Sequence, residues 1–275
     1  MVNRIITKPQ PGIQINWMHP LARELRGCWL FNEKAGSKLA DVSTNNFTGT
    51  LTDMDPSTDW VGGINGSALD FDDTNDFVEL GTDVIGDNDL VTMSVWVNFR
   101  TLGKVISFFG RGKDGSGNGW SILVHKNIDD ILQFHVVRTV PSVAGVVATS
   151  NITVVTNRWY HVVGIWEPTI GVKIYVDGVL EATTTDTGSS LRTSTVGTRI
   201  GGNMQDTSDR FHDGQIEDCR IWNRVLSADE VKQLFHTPYA MFRRPDIFRF
   251  GSLDVVVDLN LYKYNDAFVN VSYVA

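Results

Sequence analysis

Hydrophobic and polar positions alternate along much of the chain, and residues 158–180 (RWYHVVGIWEPTIGVKIYVDGVL) show this pattern most fully. Within residues 159–166, every second residue belongs to the same set, so the segment has a period of two. A pleated strand has this period, because its successive side chains point to opposite faces. Alternation resumes at 172–176 after a short loop that contains Pro168 and Gly171. Asp177-Gly178 then supplies the dipeptide that best tolerates the positive φ angles of a tight type I′ turn. The pattern predicts a β-hairpin here.

Further strands are predicted on both sides of this hairpin. Residues 91–99 (VTMSVWVNF) place Trp96 on one face and five apolar residues on the other. The stretches VISFFGRG, GWSILVHK and ILQFHVVR also read as strands, the first two separated by a loop at 113–119, KDGSGNG. One helix is predicted, because Ser227 and Glu230 stand three apart as a capping box ahead of the apolar stripe Val231, Leu234 and Phe235.

The two ends of the chain differ from this middle part. Residues 1–19 contain Pro9, Pro11 and Gly12 and have no sustained period, which favours an extended N-terminal arm. Residues 20–237 form the predicted sandwich, and residues 238–275 a C-terminal tail whose stretches SLDVVVDLNLYKY and AFVNVSYVA again alternate. A free alternating strand is an adhesive edge. The tail therefore either pairs with another subunit or a larger assembly, or packs on its own sandwich or forms a hairpin.

Several of these motifs match one known family. The segments WYHVVGIW and KIYVDG, SALDFDDTNDFVEL, and GQIEDCRIWNRVLS resemble the laminin G-like jelly rolls of the concanavalin A-like lectin and glucanase superfamily. The matching motifs run from about residue 25 to residue 237, and Asp73 stands where the family pattern has glycine. The resemblance implies an all-β fold: a two-sheet antiparallel jelly-roll β-sandwich with one short C-terminal helix and extended arms at both ends.

Charge and composition exclude other classes. The 275 residues carry a formal net charge of -8 without a cluster of Lys and Arg, which argues against nucleic-acid binding. No apolar run is long enough to insert into a membrane, and MVNRIITKPQPGIQIN lacks the apolar core of a secretory signal.

Cys28 and Cys219 fall near the first and last strands, which pair in the family. A disulfide is conceivable there, but two buried thiols are favoured.

Catalytic motifs are weak in this sequence. Glycosidases of the superfamily need two carboxylates on one strand face, whereas Glu217 and Asp218 are adjacent and are expected to point to opposite faces. The six histidines lie far apart with no HExxH or CxxC companion, and His161 is expected to be a hydrogen-bonded core residue. We therefore expect a protein that is not an enzyme.

An acidic turn is the best candidate for an ion. Asp70, Asp72, Asp73 and Asp76 lie close together in sequence, and hard oxygen ligands suit Ca²⁺. Related jelly rolls often hold a structural calcium between this turn and the closing strand, so the resemblance implies Asp72, Asp76 and Asp218 as ligands. A solvated turn, in which Asp caps backbone groups, is the equal alternative.

Carbohydrate recognition is what the resemblance most often implies. Sugar sites combine an aromatic face with a few fixed polar groups. Asn118 with Trp120, beside the loop at 113–119, is the candidate ligand site, and Trp60 beside Asp59 is a second one. For either tryptophan a place in the core is the commoner outcome.

The ends of the sandwich set the biological context. HPLARELRGCWLFNE and LSADEVKQLFHTPYAMFRRP are similar to laminin G-like proteins encoded among phage structural genes. This resemblance implies a non-enzymatic phage virion surface protein, a capsid decoration or fibre-associated subunit. Such a protein is made in the host cytoplasm, contacts other virion proteins through its arms and forms a homo-oligomer, for which a trimer is the candidate form. Binding of cell-surface glycans is left open, a lectin-like module of a bacterial protein is the alternative, and a glycosidase is the third reading.

Overall fold

The structure is a computed structural model that describes residues 8–81, 84–85, 90–113, 120–139, 144–191, 197–202, 210–242, 246–250, 253–257 and 271–273. Two eight-stranded antiparallel sheets dominate it, as the sequence predicts for a jelly-roll sandwich. Within this described part, a single 3₁₀ turn at Pro20–Ala22 and one α-helix interrupt the strands.

The first sheet runs in the order β14-β13-β12-β7-β16-β5-β4. The central strand β16 is long enough to have two partners along one side, because its first half pairs with β5 and its second half with β1. The strands of this sheet are β1 (Leu25–Trp29), β4 (Trp60–Gly62), β5 (Ser67–Asp72), β7 (Val91–Phe99), β12 (Trp159–Glu167), β13 (Gly171–Val176), β14 (Val179–Thr185) and β16 (Asp213–Trp222).

The second sheet has the order β11-β10-β9-β8-β15-β6-β3-β2. Its inward-facing residues interdigitate with those of the first sheet to form the main core, where Trp29 and Phe109 meet edge to face. Its strands are β2 (Lys38–Leu39), β3 (Gly49–Thr52), β6 (Phe77–Gly81), β8 (Ile106–Lys113), β9 (Trp120–Lys126), β10 (Ile131–Arg138), β11 (Ala144–Thr153) and β15 (Thr198–Ile200).

The alternation predicted for β7 and β12 is confirmed, but both faces of these strands are buried. The odd-numbered residues 91–99 of β7 belong to the main core, whereas Trp96 lies on the outer face against His161 and Phe235. A second apolar cluster covers this outer face and contains Val163 and Ile165 of β12. The first sheet is therefore sandwiched between two cores.

The covering layer comes from the two ends of the chain. The helix α1 (Ala228–His236) begins at the predicted capping box, with Ser227 and Glu230 bonded reciprocally, and buries Val231 and Leu234. Ile15 of the N-terminal segment bridges to Phe242, which follows the helix. Residues 8–19 and 238–242 thus lie against their own sandwich, in segments that the sequence assigns to an arm and a tail.

The central hairpin has the predicted turn. Asp177 and Gly178 adopt φ angles of 51° and 80°, as a type I′ turn requires, and connect β13 to β14. His161 is buried, and its Nε2 lies 2.9 Å from the Ser94 hydroxyl. Burial lowers the pKa of His161 to about 3, so the imidazole is a neutral core group as predicted.

Cys28 and Cys219 lie on the paired strands β1 and β16, and both are buried free thiols. Burial raises the pKa of each thiol, which keeps both groups protonated. Of the two readings of the sequence, the structure has the buried thiols rather than the disulfide.

The tail beyond residue 245 contains three strands, β17 (Asp246–Phe250), β18 (Leu253–Val257) and β19 (Val271–Tyr273). They form a separate antiparallel sheet with β18 in the centre. β18 and β19 lie within the two stretches predicted as strands, whose residues 258–264 and 267–270 fall outside the described residues, whereas β17 was not predicted. In the described part of the chain the three strands pair only with one another. In that same part, no helix is long and apolar enough to cross a bilayer.

Candidate functional site

A β-bulge in the closing strand β16 places two carboxylates together. The register with β7 shifts between Glu217 and Arg220, and Asp218 has a left-handed φ of 54°. Ile216 and Cys219 both belong to the main core, so the two residues between them lie on the outer side of the sheet. The expectation that Glu217 and Asp218 point to opposite faces is therefore wrong, because it assumed an unbroken strand.

The N-terminal segment supplies the counter-charge to Glu217. The Lys8 ammonium lies 3.2 Å from Glu217 Oε2 and also donates to the Ser67 carbonyl. The backbone N–H and side-chain amide of Asn65 donate to Glu217 Oε1 at 3.1 and 2.9 Å. Gly63 makes room for the carboxylate, since a Cβ there would stand 1.9 Å from Oε2. Burial raises the pKa of Glu217 and lowers that of Lys8, and each charge opposes the other's shift.

Asp218 is paired separately. Both of its oxygens accept from the Arg220 guanidinium at 2.8 Å, and both side chains are almost completely buried. The guanidinium carbon stands 5.7 Å from the centre of the Tyr239 ring. The bulge therefore presents two compensated ion pairs beneath other residues, not two free carboxylates.

A groove lies beside the Lys8 pair. Residues 8–11 form one wall, residues 32–34 and 65–67 form the others, and its volume is ≈ 340 Å³. A second groove of ≈ 270 Å³ shares Lys34, Gly66 and Ser67 with it and extends to Trp60 on β4. We refer to residues 8–11 as the strap and to the two adjoining grooves together as the strap groove.

The polar groups of the strap groove are held from several directions. Asn32 donates to the carbonyl of Pro9 at 3.0 Å, which ties the strap down. Glu33 Oε1 accepts from the Ala40 N–H at 2.8 Å, whereas its Oε2 is buried without a hydrogen-bond partner among the described residues. Burial raises the pKa of the Glu33 carboxyl. An unpaired buried acceptor costs free energy until a donor reaches it.

Trp60 gives the strap groove an aromatic surface. Its ring is partly buried against the main core, and its Nε1 donates to the carbonyl of Gly36 at 2.9 Å, which fixes the ring's orientation. Lys34 is exposed and lines both halves of the groove. An oriented aromatic ring, an exposed ammonium and an unsatisfied carboxylate oxygen are the groups that bind a sugar's apolar face and its hydroxyls.

The acidic turn lies elsewhere, at the end of β5. Asp72 is exposed, and its N–H donates to Asp76 Oδ2 at 3.1 Å. Burial, followed by the charge of Asp72, raises the pKa of Asp76 to about 7. Asp213 is the residue of β16 that stands opposite Asp72 in register, whereas Asp218 lies five residues further along β16, in the bulge. The three predicted calcium ligands are therefore not brought together.

The other carboxylates near this turn have cationic partners. Asp70 and Asp213 both pair with Arg100, and Asp73 pairs with Lys104. Asp73 has a φ of 70°, which explains why the family pattern has glycine at this position. Among the described residues no group of three or more His, Cys, Asp or Glu side chains is placed to hold a metal ion. Calcium binding stays a prediction.

The predicted sugar site at the loop 113–119 is not described. Asn118 lies outside the described residues, and of Trp120 only the backbone is described, as the first residue of β9. Trp60, the second candidate of the sequence, borders the smaller part of the strap groove.

A comparison with known families matches residues 72–232, more than half of the chain, to a laminin G model described as the concanavalin A-like lectin/glucanases superfamily. The chain belongs to this superfamily. The match begins at the acidic turn and ends within the helix, so it contains both the central hairpin and the bulged strand. None of the curated proteins compared matches the sequence significantly.

Solved structures of several other proteins resemble this one in fold. Domain 4 of AbnA, an extracellular arabinanase of Geobacillus stearothermophilus in complex with arabinotriose, has a TM-score of 0.58 at 20% identity, covering 77% of this chain and 98% of that one. Trypanosoma rangeli sialidase in complex with sialic acid has a TM-score of 0.57 at 16% identity, covering 79% of this chain and 33% of that one. The binding domain of botulinum neurotoxin serotype G has a TM-score of 0.56 at 12% identity, with coverages of 90% and 70%.

All the residues that line the strap groove lie outside the part matched to the superfamily. Lys8, Glu33, Lys34, Trp60 and Asn65 all precede residue 72. Sequence reasoning missed Lys8 and Glu33 because their segments have no periodicity to show what they contact. The glycine-rich turn at 62–66, GGING, was the available signal, since such turns allow close approach of other groups.

Proposed function

We propose that this protein is a non-enzymatic, carbohydrate-binding protein carried on a virion surface, and that the strap groove binds the sugar. The observation that carries the carbohydrate part is the combination of Trp60, exposed Lys34 and the unpartnered Glu33 Oε2 around one groove. A pyranose or furanose ring stacks an apolar face on an indole and satisfies buried acceptors with its hydroxyls.

The absence of catalysis is supported by the bulge. Hydrolysis of a glycosidic bond requires one carboxyl that donates a proton and one that attacks or activates water, both in contact with substrate. Glu217 and Asp218 are each 2% exposed or less and are held by Lys8 and Arg220. These two are the adjacent carboxylates of the closing strand β16. Each is neutralised by its own cation, so neither is free to act on a substrate in the strap groove.

A glycan array of the full chain tests the binding. Arabinotriose and sialic acid, the ligands of two similar structures, belong on the array beside bacterial surface polysaccharides. We expect selective binding that falls at least tenfold, about 1.4 kcal/mol, in Trp60→Ala and Lys34→Ala. Lys232→Ala, an exposed lysine on the helix, is the matched control and is expected to bind normally. An array without selective binding, or one on which Lys232→Ala and Lys34→Ala behave alike, contradicts the proposal.

The virion part rests on the sequence motifs at both ends of the sandwich. It is tested by mass spectrometry of purified, salt-washed phage particles from cells that express this chain. Peptides of the chain at a fixed ratio to the major capsid or tail protein support it. Recovery of the chain only in the soluble lysate contradicts it and leaves the bacterial lectin-like module as the function.

A further inference from the structure

The strap groove contains three charged side chains, and two of them are held by other groups of the protein. Lys8 is paired with Glu217, and Glu33 accepts the Ala40 N–H with one of its oxygens. The third, Lys34, is exposed and lines both parts of the groove. Among the described residues Lys34 has no ion pair or hydrogen bond, so its ammonium is available to a ligand.

The backbone around Lys34 is fixed in an uncommon conformation. Phe31 and Lys34 both have left-handed φ angles, of 60° and 62°, which residues other than glycine rarely adopt. Contacts with other segments maintain this turn, since the Ser67 hydroxyl donates to the carbonyl of Phe31 and the Asn32 amide donates to that of Pro9. Residues held in such conformations cluster at ligand-binding sites. The placement of Lys34 is therefore a built feature of the groove.

The smaller part of the strap groove, which Trp60 borders, has one sign of charge in its lining. Lys34 is the charged residue of that lining as described, and the others are Val61, Gly62, Gly66 and Ser67. Glu33 lines only the larger part. A sugar ring stacked on Trp60 therefore meets a positive charge and no negative charge from the wall beside it. An anionic substituent on that ring is attracted, and an ammonium group is repelled.

The unpartnered oxygen of Glu33 fits the same kind of ligand. Glu33 Oε2 needs a donor, and a sugar hydroxyl supplies one without bringing a further cation between Lys8 and Lys34. Acidic sugars carry hydroxyls beside their anionic group, so one molecule provides both partners.

We propose that the strap groove selects acidic sugars, whose rings carry a carboxylate or a sulfate, and that Lys34 determines this preference. The inference rests on the proposed carbohydrate binding by the strap groove and adds the class of sugar. A lysine ammonium is a point charge without the planar geometry of arginine, so carboxylates and sulfates both suit it. The chain as a whole has a net charge of -8, which opposes general adsorption of acidic polymers. A preference for acidic sugars must therefore come from a local group.

The test is a glycan array on which each acidic oligosaccharide stands beside its neutral counterpart. Uronates and sialosides are paired with their carboxyl-reduced forms, and sulfated sugars with their desulfated forms, so the two kinds of anionic group are read separately. We expect the full chain to bind the acidic member of the recognised pair about tenfold more tightly. In Lys34→Met this preference is expected to disappear through weaker binding of the acidic member alone, whereas Lys34→Arg keeps the charge and retains it.

Lys38→Met is the matched control, because Lys38 is an exposed lysine of β2 outside the groove. It is expected to keep the preference. Salt gives a second measurement, since raising its concentration from about 0.1 M to about 1 M shortens the screening length from about 10 Å to about 3 Å. We expect this to weaken binding of the acidic member several-fold and to leave the neutral member unchanged.

Trp60→Ala separates failure of this inference from failure of carbohydrate binding itself. Glycans that bind without an acidic preference and lose affinity in Trp60→Ala overturn the inference and leave the proposed function in place. An acidic preference that persists in Lys34→Met, or that Lys38→Met removes equally, also overturns the inference. An array without any binding that depends on Trp60 overturns both proposals.

Discussion

At the scale of single residues, backbone conformation decides what the side chains can do. The pair Glu217-Asp218 shows this clearly, because the positive φ of Asp218 and the register shift put both carboxylates on the outer side of the sheet. Periodicity alone predicts opposite faces, and no local sequence signal marks the inserted residue. Asp73 is the converse case. Its family counterpart is glycine, and the left-handed φ at this position accounts for that glycine.

A prediction at this scale concerns Asp76. Burial and the neighbouring Asp72 raise the pKa of Asp76 from 3.8 to about 7. The folded state therefore binds this proton more tightly than the unfolded state does. The contribution of Asp76 to the free energy of unfolding is complete below pH 3.8 and is lost as the pH rises through 7. Asp76→Asn, which keeps an acceptor for the Asp72 N–H, removes this loss.

The measurement is urea unfolding of Asp76→Asn and the unmodified protein between pH 5 and 8. We expect the stability of the variant relative to the unmodified protein to increase by about 1–2 kcal/mol across this range. This is less than the full shift implies, because the neighbouring turn residues are exposed and solvent screens the charge. Asp129→Asn, the same substitution at an exposed turn, is the control for the effect of the amide itself. A constant difference for Asp76→Asn would show that the carboxyl is ionised throughout.

At the scale of elements, alternation identified the central hairpin, β7 and the tail strands β18 and β19, and the capping box identified the helix. These features depend on neighbours in sequence, so a local pattern contains the information. The strap could not be found in this way. Lys8 meets a carboxylate 209 residues away, and only the folded sheet brings the two together. The second core over the outer face was hidden for the same reason.

The strap makes an element-scale prediction. Lys8→Met keeps the length of the side chain but leaves Glu217 buried without its counter-ion, so we expect the free energy of unfolding at pH 7 to fall by about 3 kcal/mol. Adding Glu217→Gln removes the uncompensated charge and is expected to restore part of the loss. Urea unfolding measures both, with Lys34→Met as the exposed control, expected to change by under about 0.5 kcal/mol. A double variant that is no more stable than Lys8→Met would show that the uncompensated charge of Glu217 does not cause the loss of stability.

At the scale of the whole molecule, the superfamily sandwich acts as a scaffold for features outside the matched residues 72–232. The N-terminal part contributes the strap, Glu33, Lys34 and Trp60, and the C-terminal part contributes the tail sheet. Both parts contribute to the covering layer. The motifs that identified the fold, Trp159, His161 and Tyr175 among them, lie in the framework. The sequence thus predicted the architecture well and the site poorly, since the groove is built from segments that lack periodicity.

The central claim is that the strap groove binds carbohydrate. The most direct test is to titrate the protein with a glycan that binds on the array and to follow the indole N–H signals in its ¹H–¹⁵N spectrum. The Trp60 signal, assigned with Trp60→Phe, is expected to shift in proportion to occupancy, while those of the fully buried Trp29 and Trp222 stay in place. Saturable binding of the glycan that leaves the Trp60 signal unmoved would contradict the account.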